Sequence, residues 1–380
     1  MERQRITPRR DWQAQLESVG FHFHSLDGGY WDESACYRLS ADEVDTLEAA
    51  TAELHQMSLA AVESIVQGGA FEHFALGEWA ARQVTASWHA KAPSLYGRFD
   101  LRYDGKGPPK LLEYNADTPT SLIEAAVAQW NWLQAVRPDS DQFNSIHEKL
   151  IARWEAIRAT LPGIPPVMYF SCVKDNDEDL GNLEYLRDTA LQAGIDARLI
   201  YIEDLGWSEA DQCFVDLDNS PVRALFKLYP WEWMMREDFG PRVPQARLSV
   251  IEPAWKILLS CKAILVVLWE LYPDHPNLLP AYFEAGRLGD RFVRKPLYSR
   301  EGANVEIHGP RGVYAQPGSY GAEGCIYQAY APLPELDGNY PVAGSWIIGD
   351  LPAGIGIRED VTPITSNTSR FIPHYFDSKR

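Results

Sequence analysis

The sequence predicts a mixed α/β (α+β) fold with a sizeable core. One observation is a strand–helix–strand pattern over residues 166–202, in which two apolar runs flank a helical stretch closed by Gly194. A second is a pair of strand-like runs, 98–103 and 110–115, separated by turn residues that favour a β-hairpin. A third is a long amphipathic helical pattern over 41–67, so helices and strands both belong to the fold.

Helical patterns recur along the chain. Ser40 provides an N-cap for the helix 41–67, which a pair of glycines closes. A second helix is predicted over 119–136. A third extends over 253–271, because a proline begins it and Pro273 lies just beyond its end.

Residues 166–230 and 286–356 differ in composition and predict two distinct parts of a single 1–380 domain. The first contains the strand–helix–strand unit and a hairpin-like stretch, 213–229, and predicts an inserted α/β substrate subdomain. The second contains 13 of the 27 glycines among short strand-like runs, and predicts a nucleotide-binding or lid region. Such a stretch provides the tight turns of a phosphate-covering lid, although a β-rich region with long loops explains it equally well.

Composition and charge exclude two classes of function. The 380 residues carry 35 Lys and Arg against 53 Asp and Glu, which gives a formal charge of −18. This balance argues against nucleic acid as a partner, because affinity for nucleic acid depends on basic residues that neutralise phosphates. The most apolar segment, 253–272, is interrupted by two lysines and a glutamate, so we expect no membrane partner.

Cysteine usage and the first residues indicate the compartment. The five cysteines are scattered and form no CxxC pair, which favours free thiols in a reducing environment. The basic first residues are followed by no apolar stretch of the kind that a secretory signal needs. We therefore expect a cytoplasmic protein.

The predicted hairpin carries the most informative polar residues. Side chains two residues apart on a strand share a face, so Arg98 and Asp100 point one way, as do Glu113 and Asn115. If Tyr103 faces the first residue of the second strand, Asp100 lies opposite Glu113. Like charges across a strand pair are destabilising unless something compensates them.

Two kinds of compensation are open for these acids. Two carboxylates and an amide oxygen are hard ligands suited to Mg²⁺, with Arg98 beside them for phosphoryl oxygens. The alternative, somewhat favoured by the charges alone, is an exposed hairpin in which Arg98 and Lys110 bridge the acids. No P-loop or dinucleotide fingerprint occurs elsewhere to decide between them.

Four further cations lie in apolar or glycine-rich sequence. Lys262, in the predicted helix, and Lys295, in a strand-like run, either extend to the surface or meet an anion, and the first outcome is the commoner one. Arg300 and Arg358 each accompany glycines. Several cations on such loops fit the stabilisation of a transferring phosphoryl group.

Long motifs, present in order from about residue 10 to residue 375, resemble the synthetase domain of the glutathionylspermidine synthetase family, and most closely its stand-alone bacterial acid–amine ligases. These motifs are RFDLRYDGKGPPKLLEYNADTPTSLIEA, EPAWKILLSCKAILVVLWELYPDHPNLLPAYF, VRKPLYSREGANV, IYQAYAPLPELDGNY and GIRED. The resemblance implies an ATP-grasp fold with a glycine-rich lid. It also implies a carboxylate–amine ligase that forms an amide bond through an acyl phosphate.

The resemblance also implies roles for individual residues. Asp100, Glu113 and Asn115 match the ligands of Mg²⁺, while Arg98, Arg300 and Arg358 match catalytic arginines. The positions that match contacts to ATP are Arg98, Phe99, Asp100, Lys262, Lys295, Gly302, Gln328, Ala329, Tyr330 and Ala331, of which Gly302 is the lid position and the last four form the strand that binds adenine.

Substrate positions match the family less closely. Thr118 and Thr120 stand where the family has two serines that face glutathione, and Leu228 replaces a threonine of the acceptor region. Glu178 and Asp179 fall where family acids meet the polyamine. The partners expected are therefore a small-molecule acid and an amine, both unidentified.

Two alternatives to an acid–amine ligase of unidentified substrates stay open. One is a nucleotide-binding protein, an ATPase or a regulatory scaffold, that has lost ligase turnover. The other is glutathionylspermidine synthesis itself, although this length leaves no room for the amidase domain of the bifunctional enzymes. The family also makes a homodimer conceivable, and the acidic excess predicts long-range attraction of a cationic amine.

Overall fold

The computed structural model describes residues 1–161, 163–164 and 166–377. Within this part of the chain the strands are, in order, β1 Glu2–Arg5, β2 Ala35–Leu39, β3 Tyr96–Arg102, β4 Lys110–Asn115, β5 Val167–Ser171, β6 Asp196–Leu199, β7 Gly206–Ser208, β8 Cys213–Val215, β9 Pro221–Val222, β10 Ala224–Lys227, β11 Ser249–Ile251, β12 Ala281–Tyr282, β13 Phe292–Pro296, β14 Glu306–Gly309, β15 Gly312–Ala315, β16 Cys325–Ala329, β17 Tyr340–Ile348, β18 Leu351–Asp360, β19 Arg370–Ile372 and β20 His374–Phe376. The helices are α1 Trp12–Glu17, α2 Ala41–Gly68, α3 Glu78–His89, α4 Gln129–Val136, α5 Ile146–Arg158, α6 Asp177–Gln192, α7 Trp231–Met234, α8 Lys256–Ser260 and α9 Ile264–Leu271. The chain therefore mixes helices and strands throughout, as predicted.

Helix α2 confirms the longest predicted helix and covers one face of the central sheet. The Ser40 hydroxyl accepts from the amide of Glu43 at 3.2 Å, and the Glu43 carboxylate accepts from the amide of Ser40 at 2.7 Å, which is a complete capping box. Gly69 ends the helix at a φ of +70°, a conformation that glycine adopts without steric cost.

The central sheet is antiparallel and has the order β19–β18–β17–β3–β4. Phe99 and Leu101 of β3 are buried in the core that contains α2. Because side chains alternate along a strand, Arg98 and Asp100 face the opposite side of the sheet, where the Arg98 guanidinium lies 5.7 Å from the ring centroid of Trp346. The hairpin is thus part of a buried sheet, and the prediction of an exposed hairpin is wrong.

The register of this hairpin combines a confirmed prediction with an error. Asp100 pairs with Glu113 and Arg98 with Asn115, as predicted. Lys110, however, pairs with Arg102 rather than with Tyr103. Leu112 forms a β-bulge, an extra residue in β4 between the pair Leu101–Leu111 and the pair Asp100–Glu113. This extra residue offsets the shift near the turn, so the pairs beyond the bulge have the predicted register.

A second sheet is parallel, with the order β11–β10–β5–β6. It contains the predicted strand–helix–strand unit as β5, α6 and β6. The predicted hairpin over 213–229 is only half present: β8 pairs with β9, but β10 leaves it to pair with β5. The strand β10 is buried along its whole length, which explains why it joins the interior of the parallel sheet.

The glycine-rich stretch 286–356 contributes to two sheets. Its first part supplies β13–β16 to an antiparallel sheet of order β12–β16–β13–β14–β15. Its second part supplies β17 and most of β18 to the central sheet. The glycines therefore serve a β-rich region as well as the loops between its strands.

Two predicted helices are interrupted. The helix expected over 253–271 is divided into α8 and α9 at Cys261–Ala263, where the amide of Lys262 donates to the carbonyl of Leu297 at 2.9 Å. The placement of Lys262 inside a helix is therefore wrong. The helix expected over 119–136 contains a π-helical turn, Glu124–Ala128, before α4.

Candidate active site

The predicted site residues converge on a cavity of about 370 Å³. Its walls come from the β3–β4 hairpin, the β13–β16 sheet, the end of β18 and the loops beside the parallel sheet. The predicted residues that line it are Arg98, Asp100, Glu113, Asn115, Thr118, Thr120, Asp179, Lys262, Lys295, Arg300, Gly302, Gln328, Ala329, Tyr330, Ala331 and Arg358. Residues far apart in sequence thus meet around one space.

Asp100 lies between two arginines. Its carboxylate accepts from Nε of Arg98 at 2.8 Å and from Nη2 of Arg358 at 2.7 Å. Arg98 also donates to the carbonyl of Thr120 at 2.6 Å, which fixes the plane of its guanidinium. Burial favours the neutral form of Arg98, but Asp100 and its hydrogen bond outweigh burial and raise the pKa of Arg98, so this guanidinium remains a cation.

Glu113 is paired with Lys262. The two side chains approach to 3.1 Å, and Lys262 Nζ also donates to the carbonyl of Ser299 at 2.7 Å. Desolvation alone would raise the pKa of Glu113, but Lys262 and Lys295 outweigh it and lower the pKa to about 2. The interruption between α8 and α9 is what allows Lys262 to reach this carboxylate.

Lys295 is buried and hydrogen-bonded to the opposite strands. Its Nζ donates at 2.7 Å to the carbonyl of Leu112 and at 2.7 Å to Oε1 of Gln328. Burial lowers the pKa of Lys295 to about 8, with Glu113 opposing the shift. Both lysines therefore meet acceptors inside the protein, and neither extends to the surface.

The donor set of the hairpin fits a divalent cation. Asp100 and Glu113 lie directly opposite each other, and Nδ2 of Asn115 donates to the carbonyl of Thr118 at 3.5 Å, which leaves the amide oxygen as the ligand it can offer. Two carboxylates and one amide oxygen suit Mg²⁺ that shares its other positions with phosphates and water. In residues 1–161, 163–164 and 166–377, no group of three or more His, Cys, Asp and Glu side chains is placed to hold a metal ion.

The alternative partner predicted for these acids, Lys110, lies elsewhere. Its ammonium group contacts the carbonyls of Pro276 and Leu278, the latter at 3.4 Å. Arg98 does contact Asp100, so half of that alternative holds. The cations that compensate the two acids are therefore Arg98, Arg358 and Lys262.

The loop after β13 brings Gly302 to the cavity. Gly302 has a φ of +70°, and a Cβ at this position would lie 2.4 Å from the carbonyl oxygen of Thr365. The loop therefore packs directly against residues 363–365, which also line the cavity. Only glycine meets both the conformation and the close approach.

Arg300 has partners that the sequence did not reveal. It donates to the Thr118 hydroxyl at 2.7 Å and to Oε1 of Glu232 at 2.6 Å. Glu232 lies in the first turn of the short helix α7, which follows Pro230, and is buried. The sequence offers no signal for Glu232 beyond an acid in an aromatic stretch, because its function depends on contact with a residue 68 positions away.

Acidic side chains gather on the wall formed by α6, α7 and the Arg300–Gly302 loop. Asp179, Glu232 and Glu301 line the cavity there, and we call them the acidic wall. Burial, reinforced by Glu178, raises the pKa of Asp179 to about 7. Burial and Glu178 also raise the pKa of Glu301. By contrast, Arg98, Lys262, Lys295 and Arg358 form what we call the cation-rich wall.

Two predicted site residues do not line the cavity. The Phe99 side chain is fully buried and stacks on Tyr114 with ring centroids 3.8 Å apart, so only its backbone could serve a nucleotide. Glu178 stands beside the cavity and acts on it through charge rather than by lining it.

Comparison with known proteins assigns this chain to an enzyme family. A family model described as glutathionylspermidine synthase preATP-grasp matches residues 3–377. The chain belongs to this family. A protein of Haemophilus influenzae named "Putative acid--amine ligase" is 43% identical, with 97% of each chain covered. The bifunctional glutathionylspermidine synthetase/amidase of Escherichia coli is 26% identical over 89% of this chain, which spans 58% of that enzyme.

These relatives confirm the enzyme class predicted from the sequence. The chain is an ATP-dependent ligase that forms an amide bond between an acid and an amine. A solved structure, a glutathione synthetase-like effector from Globodera pallida, matches with a TM-score of 0.59 at 10% identity over 98% of both chains, which is a likeness of fold. Among the residues that the structure describes, none of the helices has the length and apolar character needed to cross a membrane.

Proposed function

We propose that this ligase binds Mg-ATP in an ATP-grasp arrangement, between the hairpin and the β13–β16 sheet, and activates a carboxylate as an acyl phosphate. The observation that carries the proposal is the pairing of Asp100 with Glu113 on one wall of a cavity that also contains Arg98 and Arg358. Opposed acids and flanking arginines suit a metal–polyphosphate and the charge that develops on a transferred phosphoryl group.

We assign the metal to Asp100, Glu113 and Asn115. When bound, Mg²⁺ draws charge from the phosphoryl oxygens and orients the phosphates for transfer. Lys262 and Lys295 then contact phosphate oxygens from the same wall. Residues 328–331 lie where the base would stack and pair with the backbone. They are the end of β16 and the two residues after it, rather than a single strand as predicted. In this arrangement the metal, the phosphates and the base each contact predicted residues that line the cavity.

The reaction proceeds in two transfers. An oxygen of the substrate carboxylate attacks the γ-phosphorus and ADP leaves, which forms the acyl phosphate. The amine nitrogen then attacks the acyl carbon, phosphate leaves with its bonding electrons, and the nitrogen loses a proton. Arg98 and Arg358 stabilise the phosphoryl charge in both steps, and the Gly302 loop keeps water away from the acyl phosphate.

We place the amine at the acidic wall. Asp179, Glu232 and Glu301 would attract a cationic acceptor, and Glu178 adds negative charge behind them. Thr118 and Thr120 lie between the two walls and are proposed to meet the acid. Thr118 already accepts from Arg300, so its contact with the acid would include that arginine.

The decisive experiment supplies Mg-ATP with pools of acids and amines and measures ADP release together with condensation products by mass spectrometry. Glutathione and spermidine belong in the pools because relatives carry those names. We expect ADP release that depends on both an acid and an amine, with a product of their summed mass less one water. An Asp100→Asn variant serves as the inactive control. ADP release that never depends on an added acid or amine, with no product, would contradict the proposal.

A further inference from the structure

The segment 116–122, which we call the junction segment, is held by several of the elements that surround the cavity. The amides of Ala116 and Asp117 donate to the Ser260 hydroxyl of α8 at 3.0 and 2.8 Å. Further contacts come from Arg98 to the Thr120 carbonyl at 2.6 Å, from Arg300 to the Thr118 hydroxyl at 2.7 Å and from the Leu122 amide to Asn182 of α6 at 2.8 Å.

One contact of this segment differs from the others because it is a fully buried ion pair. Nζ of Lys227, at the end of β10, lies 2.6 Å from Oδ1 of Asp117, and both side chains have 0% exposure. The second carboxylate oxygen accepts from the amide of Trp231 at 2.8 Å. Nζ of Lys227 also donates a hydrogen bond to the carbonyl of Tyr229 at 2.9 Å.

Neither partner touches the space where substrates would bind. Asp117 and Lys227 do not line the cavity, whereas their chain neighbours Thr118, Leu228 and Tyr229 do. A buried ion pair is a weak source of stability, because the cost of removing two charges from water offsets most of their attraction. Burial accordingly lowers the pKa of Lys227, and Asp117 opposes the shift. The pair is therefore better explained by the geometry that it imposes than by the stability that it adds.

We propose that the Asp117–Lys227 pair is a positioning device that sets the metal ligand Asn115 and the acidic residue Glu232 at a fixed separation. Asn115 precedes Asp117 by two residues on one side of the pair. Glu232 follows Trp231, whose amide binds the same carboxylate, on the other side. A shift of either side would move a metal ligand relative to the wall that holds Arg300. This inference deepens the proposed function, since it depends on Asn115 as a ligand.

The test removes both charges at once, because a single substitution would leave an unpaired buried charge and unfold the protein. The variant is Asp117→Asn with Lys227→Met. Its matched control, Glu33→Gln with Arg9→Met, removes another ion pair with a fully buried carboxylate, and neither of its residues lines the cavity. Calorimetry measures binding of the ATP analogue AMP-PNP as a function of free Mg²⁺, and hydrogen exchange reports on residues 116–122 and 231–234.

We expect the Mg²⁺ concentration for half-maximal AMP-PNP binding to rise about tenfold in the double variant, as for loss of residues that orient metal ligands. Exchange should accelerate in the junction segment, and the control should change neither measurement. A lowered melting temperature with an unchanged Mg²⁺ requirement and unchanged exchange would overturn the inference. If the wild-type protein binds no AMP-PNP at any Mg²⁺ concentration, the proposed function fails. In that case the positioning role is tested by hydrogen exchange alone, and unchanged exchange in the double variant would overturn it.

Discussion

The two walls of the cavity hold charges of opposite sign, and they hold them in different ways. On the cation-rich wall each carboxylate is neutralised by close cations: Asp100 by two arginines and Glu113 by Lys262. On the acidic wall Glu232 pairs with Arg300, whereas burial, and after it the charge of Glu178, raises the pKa values of Asp179 and Glu301.

This difference assigns a substrate charge to each wall. On the cation-rich wall the carboxylates are already paired with cations, and the cations outnumber them. This wall can therefore bind an anion while those ion pairs stay in place. Buried acids whose pKa values are raised gain most when a cation arrives, because the cation stabilises their charged form. The proposed function accordingly places a polyphosphate at the cation-rich wall and a cationic amine at the acidic wall.

The largest expected effect tests the cation-rich wall. Arg358→Met should lower acid- and amine-dependent ADP release by about 10²–10³-fold, the loss typical of one group that stabilises transition-state charge. Asp100 keeps Arg98 as a partner, so the fold should survive. Arg198→Met removes an exposed arginine that pairs with Asp196, and it should leave the rate unchanged. A rate for Arg358→Met within threefold of wild type would remove this arginine from the phosphoryl site.

The next effect tests the loop that joins the two walls. Gly302→Ala should raise the KM for ATP about tenfold, because the new Cβ would collide with the Thr365 carbonyl and displace the loop that excludes water. Gly289→Ala is the matched control: its φ is +66°, but no heavy atom lies within 4 Å of the new Cβ. Equal effects of both variants would show that backbone conformation, rather than the close approach, matters at Gly302.

A third prediction concerns pH at the cation-rich wall. The pKa of Lys295 is about 8, so the side chain is charged below this pH and loses its proton above it. Affinity for Mg-AMP-PNP should therefore fall about tenfold between pH 7 and pH 9.5, which corresponds to a ligand that raises the pKa of Lys295 by about one unit. Calorimetry across this range measures the fall, and Lys295→Arg should flatten the profile. An identical slope in the variant would assign the titration to another group.

The smallest predicted effect concerns the acidic wall. The pKa of Asp179 is about 7, so its carboxylate is charged above this pH and protonates as the pH falls. The KM for a cationic amine should rise about threefold from pH 8 to pH 6, and more salt should raise it further. Asp179→Asn should abolish the pH dependence, whereas Asp188→Asn, an exposed position on the same helix, should retain it. A KM that is insensitive to salt would argue against a cationic acceptor.

Local rules predicted much of the hairpin and of the single elements. Strand alternation and turn chemistry predicted the hairpin and the pairing of Asp100 with Glu113, because both act over a few residues, although the pairing assumed next to the turn was wrong by one residue. They could not predict the bulge at Leu112, which shifts the pairing of Lys110 by one residue. The helix predicted over 253–271 likewise looked continuous, and only the bond from Lys262 to Leu297 shows why it is divided.

Partners across the fold were beyond the reach of sequence patterns. The sequence marked Arg300 and Thr118 as site residues but gave no reason to join them, and it gave no sign of Glu232 as the acid that pairs with Arg300. The prediction of β10 as part of a hairpin failed for the same reason: its partner β5 lies more than 50 residues earlier.

By itself, the sequence determined the mixed fold class, the hairpin that opposes two carboxylates and, through long ordered motifs, the ligase family. Those features depend on neighbouring residues or on motifs that can be recognised in one dimension. Only the tertiary structure decided which cation neutralises each acid, and it alone buried the Asp117–Lys227 pair beneath the cavity. Charge interactions act through space and strengthen as water is excluded, so their outcome depends on packing that no local pattern contains.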